Sequence, residues 1–120
     1  MYVSMLKAKL HFARVTQSER DYEGSLTIDP DLMEAVGMLP YEKILVADVE
    51  NGNRFETYAI AGERGSRVIG LNGATTHMGG IGDRLIVFAF ALVPSEEAAQ
   101  HHPRVVILDA DNRPVQTRQA

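Results

Sequence analysis

Two Gly-Ser dipeptides occur in this sequence: Gly24-Ser25 in "YEGSLTID" and Gly65-Ser66 in "AGERGSRVIG". Gly-Ser is a common turn dipeptide, so each reads first as a loop. The order glycine then serine also suits one reaction. A serine hydroxyl can attack the carbonyl carbon of the residue before it. Glycine at that place lacks the Cβ that would resist the backbone distortion the attack requires. The ester so formed can undergo β-elimination, which cuts the chain and leaves dehydroalanine. Hydrolysis then converts the dehydroalanine into a pyruvoyl group. Local chemistry alone does not choose between the two dipeptides.

Other reactive side chains offer less. With no cysteine, the chain has no disulfide, thiolate metal site or thiol nucleophile, which suits a reducing compartment. Of the four histidines, His101 and His102 are adjacent and share a ligand face poorly, while His11 and His77 lack companions at ligand spacing, so no metal site is expected. "GGIG" at 79–82 lacks the Lys-Ser/Thr of a phosphate loop and reads as a turn. Glu96-Glu97 and the Asp109/Asp111 pair read as solvated surface.

The elements that must position these residues are mostly strands. The 120 residues are expected to form a single domain, 1–120, with one core. In "LKAKLHFA", Leu6, Ala8, Leu10 and Phe12 alternate with Lys7, Lys9 and His11, a period of two that predicts one apolar strand face. "KILVADVE" and "RFETYAIA" flank "NGN" and predict a hairpin. "SRVIGL", "DRLIVFAFALV" and "RVVILDA" bring the count to about six strands. Asp29 can cap a short helix, with Pro30 at its first position and Gly37 ending it. "PSEEAAQ" predicts a second short helix. The run "LIVFAFALV", 85–93, is too short for a membrane helix, which needs about 20 residues, and suits a strand buried on both faces. Lys7, Lys9 and His11 interrupt any signal-like apolar segment, so the expected location is the cytoplasm. The net charge of −4 disfavours a nucleic-acid partner. Many short strands with few helices predict a compact, mainly β barrel.

Five segments carry a family resemblance: "KLHFARVT" (9–16), "DYEGSLTID" (21–29), "NGNRFETYAI" (51–60), "ERGSRVIGLNGA" (63–74) and "GDRLIV" (82–87). In this order they resemble the aspartate 1-decarboxylases over nearly the whole chain. The resemblance implies a double-ψ β-barrel with short helices, assembled as a homotetramer. It implies conversion of L-aspartate to β-alanine and CO₂ for pantothenate biosynthesis. It also selects Gly24–Ser25 as the bond that cleaves itself, giving 1–24 and 25–120, with a covalent pyruvoyl cofactor derived from Ser25. Some members of the family need an accessory maturation protein for that step. A ketone that condenses with the substrate amine replaces pyridoxal as electron sink.

Residue roles follow from the same resemblance. Arg54 matches the arginine that holds a substrate carboxylate, and Lys9 matches a second basic residue at the substrate site. Tyr58 matches the proton donor to the α-carbon. Thr57 matches the residue that steadies the oxyanion during cleavage and lies at the substrate site. Asn72, Gly73 and Ala74 match the loop lining the pocket. His11 and Tyr22 fall in matching segments without an assigned role. Ala47 stands where some members carry an aromatic, so a pocket wall differs here. Thr57 and Tyr58 are consecutive, so their side chains should leave a strand on opposite faces. A bulge, or a site between subunits, would let both reach one centre. Two other readings remain on the residues alone. A non-catalytic barrel binding module would keep Gly24–Ser25 intact. A swapped-hairpin DNA-binding barrel would need a basic face.

Overall fold

The computed structural model describes residues 1–119. Its strands are β1 (Tyr2–Arg14), β2 (Gln17–Glu19), β3 (Ser25–Ile28), β4 (Lys43–Asp48), β5 (Arg54–Ala61), β6 (Ile69–Asn72), β7 (Arg84–Pro94), β8 (Arg104–Leu108) and β9 (Pro114–Gln119). Helix α1 (Pro30–Val36) follows β3, and short 3-10 turns cover Gly73–His77 and Ala98–Gln100. The strands pair in the order β2-β6-β3-β5-β4-β7-β1-β8-β9. The pairs β1/β8, β2/β6 and β3/β5 are parallel, and the others antiparallel. The mainly β class expected from the sequence is borne out. The mixed, crossed-over order is consistent with a double-ψ barrel, although the sheet is not closed between its two edge strands.

Six strands were expected and nine are present among the described residues. The three additional ones, β2, β3 and β9, are short or polar, as "QSE" and "PVQTRQ" show. Such segments pair because neighbours supply the ladder, not because of an apolar period of their own. Helix α1 forms as expected. The Asp29 carboxylate accepts from Asp31 N, Pro30 opens the helix, and Gly37 closes it at φ 73°. The expected helix over "PSEEAAQ" reduces to the 3-10 turn Ala98–Gln100.

Strand β1 corrects the simple alternation. Ala8 and Leu10 are fully buried, but the register against β7 shifts between His11 and Ala13. Phe12 takes φ 68° at this bulge. One extra residue reverses the parity, so Ala13 and Val15 take the buried face and Phe12 turns outward. Strand β7 is not buried on both faces as expected. Leu85, Val87 and Ala89 are buried, whereas Phe90 and Leu92 are 47% and 72% exposed. The core gathers Leu10, Leu26, Ile28, Met33, Val36, Ile44, Val46, Ile69, Leu71, Leu85 and Val87, each burial worth roughly 1.5–3 kcal/mol for a side chain of this size. No helix among the described residues is long and apolar enough to cross a membrane.

Candidate functional site

Gly24 and Ser25 mark an abrupt change of environment. Asp21 to Gly24 are exposed, and Ser25, the first residue of β3, is completely buried. Strand β3 lies between β6 and β5, so every polar group on it needs an internal partner. The Ser25 hydroxyl donates to Glu23 O at 2.9 Å and accepts from Asn72 Nδ2 at 3.0 Å. Asn72 is opposite Ser25 in the β3/β6 ladder, and its amide also reaches Thr27 Oγ1 at 2.7 Å. A buried amide thus holds the serine oxygen in one orientation.

Gly73 follows at φ 63° and begins a 3-10 turn rather than the plain turn expected of "NGA". A Cβ there would come within 2.8 Å of Gly24 N, Gly24 Cα and Tyr22 O. Only glycine permits this approach of the two backbones. Beside Gly24, by contrast, a Cβ would meet open space. Ala74 is exposed on the same turn.

Strand β5 supplies the other wall. The parallel β3/β5 register pairs Leu26 with Ala59 and Thr27 with Ile60. Tyr58, one residue before Ala59, comes to the same cavity as Ser25, one residue before Leu26. A cavity of about 240 Å³ opens here, lined by Tyr22, Glu23, Ser25, Tyr41, Tyr58 and Ile60 among others. Tyr41, at φ 70°, places its ring 6.4 Å from that of Tyr58. No sequence periodicity marked Tyr41, Ile60 or Glu23 for this cavity. Only the pairing of β3 with β5 and the path of the loop after α1 bring them in.

β5 carries no bulge that would align Thr57 with Tyr58. The pairings of β5 with β3 and β4 run without a register shift. The two side chains therefore leave the strand on opposite faces, as the period of two requires.

Lys9 and Arg54 do not line the Ser25 cavity. They gather elsewhere, with Lys9 Nζ 5.6 Å and Arg54 Cζ 5.8 Å from the centre of the Phe88 ring. Arg54 opens β5 directly opposite Ala47 on β4. Arg54 and Tyr58 share a face of β5, about 13 Å apart at 3.3 Å per residue. His11 is half-buried on β1. Burial, then the nearby Lys9, Arg118 and Arg84 charges, hold its pKa below the ordinary value. Gly65-Ser66 lies in an exposed turn, where Ser66 Oγ donates to Glu63 O at 2.6 Å. The Ser66 oxygen accepts from Val68 N at 3.2 Å, but it has neither the burial of Ser25 nor a bond like the one Ser25 accepts from the Asn72 side chain.

A sequence model described as aspartate decarboxylase matches residues 1–115. The chain is 56% identical to the aspartate 1-decarboxylase of Thioalkalivibrio sulfidiphilus over 117 residues, 98% of this chain and 93% of that protein. It is 58% identical to the aspartate 1-decarboxylase of Halorhodospira halophila over 118 residues, 98% and 94% of the two chains. The aspartate 1-decarboxylase of Maricaulis maris matches along 100% of this chain and 99% of its own, at 49% identity. With a match this long and this similar, the chain belongs to the aspartate decarboxylase family.

Proposed function

We propose that this protein cleaves itself at Gly24–Ser25 and, once processed, decarboxylates L-aspartate to β-alanine and CO₂. The observation that carries the reading is the Ser25 hydroxyl, completely buried and held by the Asn72 amide at the edge of a cavity walled by Tyr58.

Processing uses the chain's own groups. Ser25 Oγ adds to the Gly24 carbonyl carbon, and the C–N bond gives way to an ester C–O bond. Glu23 O, 2.9 Å from Oγ, holds the hydroxyl proton before attack. Thr57 steadies the oxygen that gains charge. Loss of the Ser25 Cα proton and rupture of Cβ–Oγ release residues 1–24 with a new carboxylate. Addition of water and loss of ammonia leave a pyruvoyl group at the head of residues 25–120. The residues present fit this group. Ser25 is dry, Gly24 has open space beside it, and the Asn72 amide stays within reach of the position.

The pyruvoyl ketone, once formed, supplies the electron sink for loss of CO₂. Arg54 and Lys9 bind substrate carboxylates, the guanidinium through its planar fork. Tyr58, on the wall of the Ser25 cavity, donates its phenolic proton to the former α-carbon. Lys9 and Arg54 lie outside the lining of the Ser25 cavity, and in this reading the cations of one subunit serve the Ser25 cavity of another within a homotetramer.

An intact-mass spectrum tests the reading. Wild type should resolve into residues 1–24 and a pyruvoyl-headed 25–120. Ser25→Ala, which has no hydroxyl to attack, should stay whole and release no β-alanine. Normal decarboxylation by uncleaved Ser25→Ala protein would refute the proposal and favour an unprocessed barrel of another function.

A further inference from the structure

Phe88 lies midway along β7. Its row across the sheet runs Lys9 on β1, Phe88 on β7, Leu45 on β4 and Glu56 on β5. The adjoining row runs His11, Ile86, Ala47 and Arg54. Residues directly opposed in such rows share a face of the sheet. Lys9 therefore approaches the Phe88 ring from one side along its own row. Arg54 approaches from the other side, on the diagonal past Ala47, whose methyl group leaves the path clear.

Both cations lie within the range of about 6 Å at which an aromatic face attracts them. Neither has a carboxylate partner among the described residues. Glu56, the acid on their face, is engaged by Lys43 at 2.7 Å. Two unneutralised cations are thus held at one ring, where their mutual repulsion is offset by the π face and their remaining N–H groups stay available. The ring is itself fixed, half-buried and stacked on Phe90 at 6.2 Å.

We propose that Phe88 is a positioning residue for substrate binding: its ring gathers Lys9 and Arg54 into one anchoring pair for the carboxylates of a small dicarboxylic amino acid. This rests on the proposed decarboxylation. The aromatic face holds the guanidinium near Lys9, and its planar fork of N–H donors suits a carboxylate. Leucine at 88 would keep the apolar contact with Phe90 and lose the attraction for both cations.

The test compares steady-state kinetics of processed wild type, Phe88→Leu, Phe88→Tyr and Arg54→Lys with aspartate. Phe88→Leu should raise KM roughly three- to tenfold, the scale of a lost cation–π contact at a part-exposed place, with kcat changing much less. Phe88→Tyr, which retains a π face, should restore KM. Unchanged KM in Phe88→Leu, with KM raised in Arg54→Lys, overturns the role of Phe88 and leaves the anchor intact. Raised KM that Phe88→Tyr does not restore marks a packing role and also overturns it. Should Phe88→Leu fail to fold, Ala47→Leu probes the same diagonal from β4. Blocking the approach of Arg54 should raise KM within the same range, and an unchanged KM overturns the proposal. A wild-type chain that forms no β-alanine refutes the decarboxylase reading itself, an outcome separate from all of these.

Discussion

The Ser25 hydroxyl shows how one residue takes its meaning from burial. Ser25 and Ser66 each follow a glycine, and each donates to a nearby backbone carbonyl. Only Ser25 is dry and held by a second side chain. Tyr58 lines the same cavity, while the Ser25 hydroxyl bonds to Glu23 O and the Asn72 amide, so the proposed cleavage and protonation steps use different groups. Tyr58→Phe keeps the ring beside Tyr41 and removes the proton. It should still divide at Gly24–Ser25, which mass spectrometry reads. Its β-alanine production should fall by a typical general-acid factor of roughly 10²–10⁴. Wild-type turnover by fully processed Tyr58→Phe protein would eliminate the tyrosine as donor.

The β4–β5 hairpin carries a second consequence at the scale of an element. Asp48 ends β4 and organises the turn, with its backbone N–H donating to Asn53 O and its Oδ1 accepting from Glu50 N at 2.8 Å. Its Oδ2 is buried with no donor on it. Asp83, from the loop before β7, crowds the same place: a Cβ on Gly79 would overlap Asp48 Oδ2 and lie 3.2 Å from Asp83 Oδ2. Burial first, and then the Asp83 carboxyl, raise the Asp48 pKa to about 6. The cations nearby are engaged elsewhere, Arg84 by Glu50 at 2.8 Å and Arg14 by Gly82 O at 3.0 Å. A carboxyl whose folded pKa lies above its unfolded value of 3.8 favours the fold most at low pH. That contribution fades as pH rises from 3.8 through about 6. Asp48→Asn offers Asp83 a permanent donor, so its thermal midpoint should gain on wild type as pH rises through this window. Parallel pH profiles for the two proteins would show that Asp48 is an ordinary carboxylate.

At the scale of the whole molecule, the outer ends of β1 and β7 present Tyr2, Phe90 and Leu92 at 66%, 47% and 72% exposure. The register sets Leu6 beside Phe90 and Ser4 beside Leu92, so these side chains form one apolar strip and not scattered residues. Such a strip supports assembly, as does the distance between the Phe88 cation pair and the Ser25 cavity. The protein should run as a homotetramer in light scattering. Leu92→Glu places a charge in the strip, and it should shift the mass toward smaller species and lower turnover with them. Fully active monomers would refute a shared site.

Much of this was legible in the residues. The cap at Asp29, the end of α1 at Gly37, the Asn-Gly hairpin and the main strands follow from local dihedral preferences and from a period of two, which a sequence displays directly. The segment "YEGS" singled out the proposed cleavage bond through resemblance, while the chemistry proposed for it followed from the residue types. Tertiary structure decided the rest. The bulge at Phe12 turned that ring outward, because parity is set by pairing with β7 and not by the strand's own alternation. The short strands β2, β3 and β9 exist through their neighbours' ladders. Asn72 met Ser25, and Tyr41 met Tyr58, across long stretches of chain, and Lys9 met Arg54 only at a ring on a third strand. Contacts between distant segments depend on strand order and register, which no local pattern of side chains encodes.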